Sequence, residues 1–383
     1  MNARLFAGFL LASVAAGVAG GALASAYSDF NAGIAAHNHG NWDEAIRRMN
    51  LALAAPDLLA SFRVPAYIDR GDAYLGKKDW AAATADYSAA LALDPDDLEA
   101  LLRRAATYGR QKKYDAAIAD YTSVIRLLPG DAVGYAARGF LYEEEDNLDP
   151  AIADFTAIIG LAPQSDFGYS LRGNALRRKG DYEKAIADQD KAVDLDDKSP
   201  GNYFERAQTY LDEGEYRSAI SDAIDGLRLK PDDSDGRLQL GLAQWEYGRF
   251  SDATATFAGI VKAQPQFAYG VLWRALAQAK SGEAYDAEFA KNAAALDLSK
   301  WPAPLIRLYL GQATVDDAVK AAASSDPDTL KNQTCEADFY AGEWQYLHGN
   351  QAAGLGLLQA AQAGCRHDFV EYDAAVTELK HLK

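Results

Sequence analysis

The sequence predicts an all-α protein, a solenoid of helical hairpins. Three observations predict it. An aromatic or apolar residue following a polar turn recurs every 34 residues at Trp80, Tyr114, Leu148, Tyr182, Tyr216 and Phe250, with Trp42 standing 38 residues before Trp80. Three residues later comes an alanine each time: Ala45, Ala83, Ala117, Ala151, Ala185, Ala219 and Ala253. The units close on proline or an acidic turn at Pro95, Pro129, Pro163, Asp197, Pro231 and Pro265.

Each unit divides into two helices. With the recurring aromatic at position 17, position 8 is always small: Gly33, Gly71, Ala105, Gly139, Gly173, Ala207, Gly241 and Ala275. Position 11 is mostly tyrosine, at Tyr74, Tyr108, Tyr142 and Tyr210. Positions 4, 8 and 11 share one helical face, as do 20, 24 and 27, which is the spacing of two amphipathic helices. Small residues at 8 and 20 let the helices approach, and a Gly-Asp-Tyr or Gly-Asn-Trp turn near 15–17 reverses the chain. Pro-Asp-Asp at 95–97 and 231–233 ends one hairpin, and its acids suit the N-terminus of the next helix.

These residues resemble the tetratricopeptide repeat (TPR) pattern over residues 27–299. The resemblance implies a right-handed superhelix of hairpins that binds protein or peptide partners, with positions 2, 5, 9 and 12 of each first helix lining a concave groove. Those slots hold Val133, Phe140, Phe167, Phe204, Leu238, Leu242, Trp245, Tyr269 and Leu272. Two readings are open: an apolar groove for an amphipathic helix or extended peptide, or packing against neighbouring helices and the C-terminal tail. Prediction places Trp245 beside Leu238 and Leu242, with Phe204, Tyr269 and Leu272 arriving from adjacent units. Of the Lys and Asn side chains that grip a C-terminal carboxylate in some TPR domains, only Asn174 is in place.

A second ladder rides on the repeat. Position 7 is Arg70, Arg104, Arg138, Arg172 and Arg206, and position 23 of the same units is Asp86, Asp120, Asp154, Asp188 and Asp222. Both vanish together in the flanking units, so the pattern predicts structural ion pairs rather than a ligand-binding arginine row.

Residues 1–26 have the form of a secretory signal peptide: Arg4, an apolar run from Leu5 to Val18, and Ala24-Ser25-Ala26 before Tyr27. An uncleaved anchor is the alternative. No cysteine lies near this segment, so no lipid anchor is predicted, and export places the protein in a bacterial periplasm.

Residues 300–383 depart from the repeat. Unit eight, Tyr269–Asp297, loses the aromatic pattern. Short helices are predicted over Leu305–Leu310, capped by Gly311, and from Thr314 to Ala323. Ser324–Gln333 is expected to be a polar loop, Cys335–Cys365 a ninth hairpin, and His367–Leu382 a closing amphipathic helix. Cys335 and Cys365 stand at the same end of that hairpin, which in an oxidising compartment favours a disulfide over two buried thiols.

The stretches 335–342 (Cys-Glu-Ala-Asp-Phe-Tyr-Ala-Gly), 367–372 (His-Asp-Phe-Val-Glu-Tyr) and Trp301-Pro302 to Gly311 resemble the end of NlpI-type envelope TPR proteins. That resemblance implies an adaptor that recruits a protease or peptidoglycan-processing enzymes.

Charge narrows the partners. A net charge of −17 and a pI near 4.7 repel phosphate backbones, which excludes general nucleic-acid binding. Two cysteines and five scattered histidines predict neither a metal site nor a cofactor. No catalytic constellation stands out, so the expected function is a non-enzymatic scaffold. The alternatives are a structural part of an envelope secretion or polysaccharide-export system, and a TPR-scaffolded hydrolase.

Overall fold

The structure, a computed structural model, describes residues 20–366 and 369–381. Most of the expected signal segment, and His367 of the expected closing helix, lie outside the described residues. Among the described residues the regular structure is entirely α-helical, and no helix is long and apolar enough to cross a membrane.

The chain forms two compact units, which meet in sequence at Pro163 and Gln164. The first holds α1 (Gly20–Asn38), α2 (Trp42–Ala54), α3 (Ala60–Gly76), α4 (Trp80–Leu93), α5 (Leu98–Arg110), α6 (Tyr114–Leu127), α7 (Ala132–Glu144) and α8 (Leu148–Leu161). Consecutive helices pair into hairpins, and each hairpin packs on the next. The Ala26/Tyr27 boundary falls inside α1, with Ala26 buried and Tyr27 exposed.

The second unit continues the hairpins as α9 (Asp166–Lys179), α10 (Tyr182–Leu195), α11 (Pro200–Glu213), α12 (Tyr216–Leu229), α13 (Ser234–Glu246), α14 (Phe250–Ala263), α15 (Ala268–Lys280) and α16 (Asp286–Ala293). It closes with α17 (Ala303–Tyr309), α18 (Val315–Lys320), α19 (Pro327–Leu347), α20 (Gln351–Gly364) and α21 (Val370–His381).

The expected polar loop at 324–333 is a correction, because α19 already begins at Pro327. Asp326 accepts from the Thr329 N–H at 2.9 Å, and Pro327 is preset for the first turn. This N-cap signal outweighs the segment's polarity. Thr314 and Asp317 form a reciprocal capping box at the start of α18.

Repeat chemistry explains the hairpins. Where position 8 is glycine, a large side chain at position 24 takes the space: an added Cβ would sit 2.6 Å from Tyr87 at Gly71, 2.5 Å from Phe155 at Gly139 and 2.6 Å from Phe257 at Gly241. Position 15 is left-handed throughout, as glycine at Gly180, Gly214, Gly248 and Gly282, but also at Lys78, Lys112 and Asp146. At the junctions, Asp97 accepts from the Ala100 N–H and Asp233 from the Gly236 N–H, each at 2.8 Å.

Candidate protein-interaction surface

The arginine at position 7 reaches inward across its hairpin. Arg70 clamps Asp86 with two bonds of 2.7 and 2.6 Å, and the same two-pronged contact joins Arg104 to Asp120, Arg138 to Asp154, Arg172 to Asp188 and Arg206 to Asp222. The remaining guanidinium nitrogen ties back to position 25 of the preceding repeat: Arg70 to Asn50, Arg104 to Ser88, Arg138 to Thr122 and Arg206 to Asp190. Each of these arginines therefore fastens three helices and is not free to receive a ligand.

The expected groove residues split into two sets. Val133 and Phe140 on α7 are 56% and 44% exposed, and Phe167 at the start of α9 is 47% exposed. Phe204 is half-buried and presses its ring on Gly226 and Gly236, where no side chain would fit. It is thus occupied with its own neighbours.

Trp245 and Leu272 correct the expectation of an open groove in the second unit. They are 1% and 0% exposed and belong to one core with Phe257, Trp273, Phe339 and Tyr340, against which Leu238, Leu242 and Tyr269 pack. Trp245 meets Trp273 edge-on at 5.4 Å and Phe339 of α19 at 6.4 Å. Helix α19 supplies the aromatic ring that covers Trp245 on this side.

The tail is further held by polar contacts that sequence periodicity gives no way to see. Tyr269 and Trp301 both donate to Glu336 at 2.6 Å, which only partly offsets the burial that raises that carboxyl. Lys280 sits at 2.5 Å from Glu378 and 3.0 Å from Glu343. Burial pulls this ammonium down, and the two carboxylates more than offset it. Cys335 and Cys365 form a disulfide with Cα atoms 4.9 Å apart, joining α19 to the end of α20. Among the described residues, no cluster of His, Cys, Asp and Glu could hold a metal ion.

A tetratricopeptide-repeat model matches residues 68–132 and 204–266, and a second such model matches 167–199. These segments are TPR repeats. Solved structures similar to this chain include a TPR protein from Parabacteroides merdae, 16% identical over 66% of this chain and 99% of that one, with a TM-score of 0.48. A MamA structure, MamA MSR-1 C2, is 22% identical over 46% of this chain and 99% of its own, at 0.39. A thermophilic TPR protein from Thermus thermophilus is 21% identical over 48% and 99%, at 0.37. These matches identify TPR repeats in the chain and name no partner.

Proposed function

We propose that the chain is a non-enzymatic TPR adaptor of the bacterial cell envelope, exported through residues 1–26, whose first unit binds an apolar segment of a protein partner. The observation that carries this is on α7. Val133 and Phe140 lie seven residues apart on one helical face and stay exposed, whereas the other described aromatics of the repeat, Tyr27 and Phe167 apart, are buried or half-buried. Such a stripe matches an amphipathic helix or an extended apolar peptide. The signal-like segment and the tail's resemblance to NlpI-type proteins support the envelope and a protease or peptidoglycan-processing enzyme as partner.

Two experiments test the reading. Quantitative capture from envelope extract compares the wild type with Val133→Ser/Phe140→Ser. The partner should drop at least ~10-fold with the variant, as a lost anchor worth more than ~1.4 kcal/mol demands. Equal capture of every protein by both forms contradicts it. N-terminal sequencing of the periplasmic form should begin at Tyr27, and an intact Met1 in a membrane fraction would contradict export by cleavage.

A further inference from the structure

The terminal helix α21 brings acid into an already acidic interior. Its inward face is Glu371, Ala374, Ala375, Thr377, Glu378 and Leu379, all buried, and it rests on α13, α19 and α20. The alanines permit close approach, and the two glutamates go in with them. Glu378 shares Lys280 of α15 with the fully buried Glu343 of α19. Glu371 accepts from the Tyr340 hydroxyl at 3.2 Å. Glu246, at the end of α13, is 5% exposed, and its Oε2 has no hydrogen-bond partner.

The other charges facing α21 do not restore balance. Glu336 of α19 acts on Glu371, Asp212 of α11, itself paired with Arg177 of α9 at 2.7 Å, acts on Asp373, and Asp373 and Glu378 act on Glu246, with Lys380 the opposing charge. Tyr216 of α12 contributes a hydroxyl 3.2 Å from Thr377. Helix α20 carries no titratable side chain at all. When every carboxyl is ionised, Lys280 and Lys380 face a surplus of buried negative charge.

We propose that α21 is a protonation-controlled latch, seated on α13 and α19 while the carboxyls beneath it hold protons and lifting as they ionise. The sign follows from burial. It pushes Glu246 up to about 8 and Glu371 up to about 7. Lifted into water, both return to the ordinary glutamate value near ~4.3. The seated helix therefore binds more protons than the lifted one. Its hold is complete in acid below the ordinary value and is lost as pH rises through the seated values. Each such group weakens the latch about tenfold per pH unit in that window.

Hydrogen exchange on the full chain tests this, with rates divided by the intrinsic rate at each pH. Between pH ~5.5 and ~7.5, protection of residues 370–381 should fall at least ~10-fold per unit while α5, α6 and α14 hold theirs. Glu246→Gln should remove about one factor of ten per unit from that slope, and Glu246→Gln/Glu371→Gln about two, leaving only what Glu343 and Asp373 contribute. Protection of 370–381 that does not change with pH overturns the latch. So does a slope that both variants leave intact, or loss of α13–α15 protection in step with α21, which would mean the whole unit opens. If the paired variant loses helicity by circular dichroism, the wild-type profile and the single variant decide.

Discussion

Arg138 shows what one residue of the ladder does. Its guanidinium is 18% exposed and holds the 6% exposed Asp154 carboxylate, with Thr122 as a third point of attachment. Arg138→Ala leaves that carboxylate buried and unpaired, so we expect a loss of about 3 kcal/mol by urea unfolding. Replacing both partners, Arg138→Met with Asp154→Leu, should cost under about 1 kcal/mol, because an apolar pair needs no desolvated charge. A double variant as unstable as the single one would contradict this account. Gly139 makes a second point at the same scale. Its missing side chain is the space filled by Phe155, so Gly139→Val should cost about 1–3 kcal/mol through overpacking, measured the same way. Both residues were legible in the sequence because each recurs at a fixed place in the 34-residue period. Glu246 and Lys280 were not. They occupy the same repeat position as residues that face water elsewhere, and only the returning tail makes them interior.

Among the elements, hairpins were readable from period and turn chemistry, and the tail was less so. Position 15 shows why glycine alone is an incomplete guide: Lys78, Lys112 and Asp146 adopt the same left-handed turn where their hairpins force it. The start of α19 was missed because polarity at 324–333 suggests a loop, while Asp326 and Pro327 together begin a helix. The α19–α20 hairpin has a covalent tie whose 30-residue separation corresponds to about 3–4 kcal/mol of chain entropy. Cys335→Ala/Cys365→Ala should therefore reduce exchange protection mainly within residues 335–365, with α5 and α6 unaffected. Unchanged protection in that hairpin would show that packing of Phe339, Tyr340 and Leu358 holds it without the bond.

Across the whole molecule, the repeat register assigns slots, but the sequence does not say which slots another part of the chain will cover. Positions 2 and 9 leave Val133 and Phe140 in water, whereas at the same two positions Tyr269 and Leu242 pack against the core that holds Trp245 and Leu272. The difference comes from α19 and α21, which have no place in the 34-residue pattern. The partner binding proposed above accordingly falls to the first unit, and Trp245 serves the stability of the second. Urea unfolding of Trp245→Ala, followed by circular dichroism, tests this division most directly. A fully buried Trp packed on Trp273 and Phe339 should cost about 3–5 kcal/mol on truncation. A variant that unfolds with the wild type would mean that α19 does not cover Trp245, and would return that residue to an open groove.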